Sequence, residues 1–305
     1  MKQWKIYAML LLVMFFWGAN VPILKYLVAE VPPVTLTGFR ILVAGIVVIL
    51  ILWKMKLIRK PFKHEWKYIF LGTITNVVGH HYFLNMGLSI TSGTHGGLIL
   101  GTGPILTAIS AAIILKYFPT KVQWIGLLLG LTGLSLAVLV GSETQGANIG
   151  DFYVFLAIFV QVLSYMVISK AARTLNPLLM TAYMMLIGAP IIILISFIQE
   201  PGAILAFGDT TQMFWWLFIA SAIVCTAIGH LMYNYAVGQA GPTKAAIFMN
   251  FNPLFAMILS AIFLGEILNY RHFLGLVLIV AGVMLGSGAA EDMWKKHKAK
   301  KVTSE

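Results

Sequence analysis

KAAIFMNFNPLFAMILS, residues 244–260, decides how this chain folds. It opens on Lys244, continues apolar, carries Asn250 and Asn252, and meets Pro253 near its middle. Proline has no N–H, and its ring crowds the carbonyl four residues back, so a helix through this stretch breaks its hydrogen-bond ladder there. A second stretch 149 positions earlier, HGGLILGTGPILTAIS at 95–110, repeats the plan: His95 opens it and Pro104 interrupts it. Both read as interrupted helices set in an apolar medium.

Composition identifies that medium. Of 305 residues, 60% are hydrophobic and only 10% charged, and mean hydropathy is +0.90. A soluble chain carries about 25% charged residues. So much apolar surface exceeds what one core can bury, which points to a multi-pass membrane protein. Apolar runs of spanning length are expected near 6–27, 34–53, 68–86, 96–115, 122–140, 152–169, 178–197, 214–235, 245–264 and 273–289. The expected fold is therefore all-α and integral to the membrane, with ten transmembrane helices. The first run has no small-residue cleavage site near its end and reads as a retained helix. The single cysteine, Cys225, cannot form an internal disulfide.

Ten spans place both termini on one side, and charge selects the side. With the N-terminus cytoplasmic, the inner segments hold seventeen Lys and Arg, including the 54–67 loop and the 291–305 tail, while the outer loops hold only Arg271. Positive residues collect on the cytoplasmic side. The expected location is thus the plasma membrane, with both termini inside. This asymmetry also accounts for the net charge of +11 without any nucleic-acid partner. The basic loop and tail are placed to meet anionic lipid, although orientation alone explains them.

The 149-residue shift extends beyond the two prolines. It matches His81 with His230, Asn85 with Asn234, Thr94 with Thr243, Gly126 with Gly275 and Gly133 with Gly282. Earlier in each half the offset shortens, pairing Lys25 with Lys170 and Pro33 with Pro177. Five spans per half reverse the direction of the second half. The expectation is two inverted five-helix repeats, 1–141 and 150–290, followed by the tail. Inverted repeats with Pro- or Gly-interrupted spans at matching places point to a transporter's solute site.

WGAN at 17–20 followed by Lys25, Arg40 in the second span, NMGLSITSGTHGGLI at 85–99, YAVGQAGPTKAAIF at 235–248 and NPLFAMILSAIFLGE at 252–266 together resemble the EamA family of the drug/metabolite transporter superfamily. The resemblance covers nearly the whole chain. It implies two inverted five-helix repeats around a central cavity, and transport, often export, of small metabolites such as amino acids. The first repeat departs from the pattern, with LKY at 115–117 where the second has LGE. A glutamate at that point therefore exists in one half only.

The candidate cavity residues follow from the repeat. Asn250, Asn252 and Pro253 flank one break, and Gly101, Gly103 and Pro104 the other. A helix beginning beyond such a break can turn its partly positive end toward an anion. Lys244 and His95 open the two spans, and Lys244 would suit a carboxylate or phosphate. His81 and His230 each share a helix face with an asparagine four residues on, Asn85 and Asn234, which serve more simply as interhelical hydrogen bonders. Trp17 and Asn20 lie in mid-span. His80 reads as packing. Arg40 reads as structural, paired with a carbonyl or Glu30, or snorkelling, because an isolated arginine in lipid costs at least about 2.5–3.5 kcal/mol.

No Asp or Glu lies at mid-depth in any span, so proton coupling would fall to His81, His230 or His95. The chain contains no P-loop, zinc-ligand spacing or G-x-S-x-G motif. Hence no cofactor, metal or catalytic residue is expected, and the chain does not read as an enzyme. The expected activity is secondary transport of zwitterionic or anionic metabolites by alternating access. Efflux of amphipathic drug-like solutes and a passive channel are the alternatives.

Overall fold

A computed structural model describes residues 3–88, 90–91, 99–138, 148–264 and 270–286. Among these, regular structure is helical throughout. Helix α1 is Gln3–Glu30 and α2 is Pro33–Lys54. Helix α3 covers 66–88, with a π-helical segment at Thr73–Gly79. The next helices are α4, Ile99–Ile114, and α5, Lys121–Val138. Helix α6 is Ile149–Ala171 and α7 is Pro177–Gln199. Helix α8, Gln212–Ala240, holds a second π-helical segment at Ser221–Ile228. Helix α9 covers 242–264 and α10 is Tyr270–Gly286.

Six of these, α1, α2, α6, α7, α8 and α9, are long and apolar enough to cross a membrane. Shorter apolar stretches lie in α4, in α5 at Lys121–Leu136 and in α10 at Phe273–Gly286. Side chains such as Trp53, Phe118, Ile198 and Phe263 stand exposed on the outside, as expected of a lipid-facing surface.

Backbone chemistry sets the helix ends. Pro33 and Pro177 sit in the first turns of α2 and α7, where a missing N–H costs nothing. Asn148 caps α6 reciprocally with Asp151. Gly241, at φ +88°, makes the turn between α8 and α9 in a conformation that side chains disfavour. The α2 N-terminus is capped by Glu200, whose carboxylate accepts from the Val34 and Thr35 amides at 3.0 and 2.7 Å. Glu30 does the same for α8, accepting from the Thr211 amide at 2.8 Å. Carboxylates at helix N-termini neutralise the exposed N–H groups.

The most extensive packing joins α5 with α10, α2 with α7, α1 with α9, and α3 with α6. Glycines let α5 and α10 touch backbone to backbone. A Cβ on Gly126 would stand 2.2 Å from the Gly286 nitrogen, and one on Gly282 would stand 2.5 Å from the Gly130 nitrogen. Small residues drive such contacts where lipid offers no hydrophobic gain. The core centres on α1, α2, α6 and α7, with Leu10, Met14, Val48, Ile168 and Met184 fully buried.

Candidate functional site

A cavity of about 830 Å³ lies inside the bundle, with walls from α1, α2, α3, α4, α6, α8 and α9. Its deep end meets Trp17 and His230, and it reaches Val28 and Pro33 at the α1–α2 turn. Beyond the deep end the rings close ranks. Trp17 packs on Tyr233 with centroids 5.0 Å apart, and Tyr233 on Tyr165 at 5.3 Å. Both tyrosines are fully buried, so aromatic packing separates the cavity from the end of the bundle where α1 begins.

The interrupted helices supply two of the walls. In α4 the chain turns at Thr102, whose amide bonds only three residues back to Ile99, and Pro104 opens the next helical segment. In α9 the ladder tightens to a 3₁₀ turn at Ile247–Asn250 before the segment containing Pro253 begins. In each case the irregular turn lies just before the proline, where the i−4 carbonyl would otherwise clash with its ring.

The π segments were not legible in the sequence, yet they align under the same 149-residue shift to within a residue. Each widens its helix immediately before the H-x-x-x-N motif. In α8 the segment turns polar groups inward. Thr226 Oγ1 donates to the Ser221 carbonyl at 2.8 Å, and Ser221 Oγ donates to Asn20 Oδ1 at 2.6 Å. Both hydroxyls therefore present lone pairs to Arg40, whose Nη1 lies 3.0 Å from Thr226 Oγ1 and 3.5 Å from Ser221 Oγ. Trp17 Nε1 donates to the Cys225 carbonyl at 3.0 Å. Gly229 leaves room for that indole, since a Cβ there would stand 2.7 Å from Trp17 Nε1.

Of the residues expected at the site, Trp17, Asn20, His81, His230, Gly101, Pro104, Asn250 and Asn252 line this cavity. His81 and His230 face each other with ring centroids 6.1 Å apart. Gly103 and Lys244 do not line it. Gly103 packs against Ile158, and Lys244 is half-buried in the first turn of α9. His95 and the Pro253 side chain lie outside the described residues.

Several wall residues differ from expectation. Arg40 is buried and faces the cavity. Its partners are hydroxyls on α8; Glu30 is instead engaged with Thr211. His80 lines the cavity too, with Nδ1 3.1 Å from the Ala157 carbonyl on α6. Gln161 on α6 was not singled out at all. Asn85 and Asn234 hydrogen-bond across helices to Thr37 and Thr181, at 3.2 and 3.0 Å. The cavity thus presents amides, imidazoles, hydroxyls and a guanidinium within largely apolar walls. Such a set can hold a solute by hydrogen bonds and charge. Among the described residues, no cluster of three or more metal-ligating side chains occurs.

A multi-pass helical bundle around a solute-sized cavity defines a class, the membrane transporters. The chain belongs to the EamA-like transporter family, whose model matches residues 4–139 and 148–287. It is 31% identical over 295 residues to the uncharacterized transporter YyaM of Bacillus subtilis, covering 94% of this chain and 95% of that one. An uncharacterized transporter of Archaeoglobus fulgidus is 27% identical over 288 residues, covering 93% and 98%. A protein of known crystal structure superposes with a TM-score of 0.79 at 16% identity, over 95% of this chain and 98% of that one.

Proposed function

We propose that this transporter is a secondary exporter of small metabolites, amino acids or related zwitterionic or anionic compounds, working by alternating access. Its ten helices would all span the plasma membrane as two inverted repeats, with both termini cytoplasmic. The observation that carries the proposal is the cavity itself, which reaches one end of the bundle while Trp17, Tyr233 and Tyr165 close the other. That is the shape of one end-state of an alternating-access cycle. In the proposed orientation the cavity faces outward, the state from which an exporter releases solute.

Paired packing supports the repeat. Helix α1 meets α9 as α6 meets α4, and α2 meets α8 as α7 meets α3. Exchanging the halves turns each contact into the other. The direction of transport rests on the family resemblance.

Purified protein in liposomes tests this. Amino acids and organic acids should enter saturably and show counterflow, with labelled solute driven inward by unlabelled solute inside. Flux that stays linear with concentration and lacks counterflow would indicate a passive channel.

A further inference from the structure

A guanidinium stays charged at any physiological pH, and a charge taken out of water needs a partner. Arg40 is 5% exposed and faces the cavity. Its two contacts, Ser221 and Thr226, are neutral. Its Nε has no hydrogen-bond partner among the described residues.

Among the described residues, the carboxylates are placed or engaged elsewhere. Glu30 caps α8 and Glu200 caps α2. Glu65 pairs with Arg59. Asp151 takes part in the α6 capping box and accepts from the Thr91 hydroxyl. Asp209 is exposed in the α7–α8 connection. Among the described residues, no acidic side chain lines the cavity. Asn250, on the α9 wall, adds a second orphan donor: its Nδ2 sits buried against Gly130, without a hydrogen-bond partner among the described residues.

We propose that Arg40 is the anchor for the carboxylate of a singly charged organic anion, and that this carboxylate serves as its counter-ion. The inference rests on the transport reading, because it uses the same cavity. The Arg40 guanidinium, which borders the cavity, supplies the charge-assisted bond. Thr226 and Ser221 hold the guanidinium from behind, and the apolar remainder of the solute lies against the neutral walls. A dianion such as a phosphate ester would call for a second cation beside the first. Lys25 is five residues beyond Asn20 on α1, about 7.5 Å farther toward the mouth, where it suits attraction of the anion during entry. A cationic solute would find no acceptor carboxylate among the described residues of this wall.

The probes are butyrate and phenylacetate, each beside its primary amide. In detergent-purified wild-type protein, phenylglyoxal labelling of Arg40, read by peptide mass spectrometry, should slow at least about fivefold with the carboxylates and not with the amides. Arg40→Gln should weaken carboxylate binding, measured as thermal stabilisation, by about tenfold or more, and Arg40→Lys should restore part of it. Equal protection by acids and amides, or Arg40→Gln binding carboxylates as tightly as wild type, would overturn the proposal. The labelling arm needs no variant and so decides the matter even if Arg40→Gln does not fold. Counterflow separates the two readings. Protection without flux leaves the anion site and overturns transport, whereas equal flux of acids and amides, indifferent to Arg40, leaves transport and overturns the site.

Discussion

The contact of α2 with α8 and the contact of α7 with α3 correspond under the sequence offsets, and they are built from opposite chemistry. With the 144-residue offset of Pro33 and Pro177, Arg40 corresponds to Met184; with the 149-residue offset, Ser221 and Thr226 correspond to Gly72 and Val77. In one seam a guanidinium meets two hydroxyls beside open space. In the other, Met184 lies over Gly72 so closely that a Cβ there would stand 2.4 Å from the sulfur, and Val77 fills the gap at Gly188. The same helix crossing can therefore be dry and full or polar and open. In this chain the polar version borders the cavity.

Placing the charge in the dry seam should have the largest effect. Met184→Arg puts a guanidinium where Met184 is fully buried against Gly72. An uncompensated buried charge costs about 3–5 kcal/mol. Unfolding in detergent, followed by temperature or by SDS titration, should show that loss. A loss below about 1 kcal/mol would mean that the α7–α3 seam can hydrate, and the contrast between the seams would collapse.

The reverse exchange should separate stability from activity. Arg40→Met copies the dry seam, and replacing a buried charge by an apolar side chain of similar size is often neutral or stabilising by about 1–4 kcal/mol. The variant should fold at least as well as wild type yet lose carboxylate transport about tenfold or more, because a hydrogen bond to a charged group contributes about 1.5–3 kcal/mol. Unfolding as severe as that of Met184→Arg would make Arg40 a structural cation.

This contrast also shows what sequence alone conveys. The breaks at Pro104 and Pro253 were legible because proline acts through its own ring. Apolar runs announced the helices, but their number as spans did not follow, since α4, α5 and α10 contribute only short apolar stretches to the described structure. The π segments were not legible. An extra residue in a helical turn leaves no compositional mark, and Thr73–Gly79 and Ser221–Ile228 read like any apolar helix. Arg40 was legible as costly but not as placed. An arginine two turns into an apolar run looks the same whether it snorkels or faces inward, and the hydroxyls that hold it are 181 and 186 positions away. The 144-residue offset did carry one overlooked signal, Met184 standing where the earlier stretch has Arg40. Lys244 was singled out by residue type, which suits an anion, and the first turn of α9 that carries it does not line this cavity.

Exchanging the small partners should have intermediate effects. Gly72→Ser gives α3 the residue that α8 carries at 221, but it forces Met184 and the Met180 methyl, 2.8 Å away, to move. Overpacking of this kind costs about 1–3 kcal/mol. Ser221→Gly should cost about 1 kcal/mol, because Asn20 Oδ1 loses its donor and Arg40 one of its two acceptors. If Gly72→Ser proves the milder change, the α7–α3 seam is looser than its geometry indicates.

The smallest effect should come from the loops that connect these seams, which are also held unlike one another. The α7–α8 loop is tied across the fold, by Glu30 on α1 to Thr211. The α2–α3 loop is tied mainly within itself. Arg59 donates both Nη atoms to Glu65 at 2.7 and 2.6 Å, and Glu65 also accepts from the Phe62 amide. The Arg59 hydrogen bond holds the Glu65 carboxyl below its usual range. A depressed carboxylate contributes stability above its unfolded pKa and loses it as pH falls through the lower folded value. Melting temperature should therefore be flat through this contribution from pH 7 down to about 5, and fall only below about 4. Glu65→Gln should remove that part of the acid sensitivity while leaving carboxylate transport intact, since neither Arg59 nor Glu65 borders the cavity. Altered transport in Glu65→Gln would tie the loop to the solute pathway and erase the distinction between the seam that binds and the loop that only clamps.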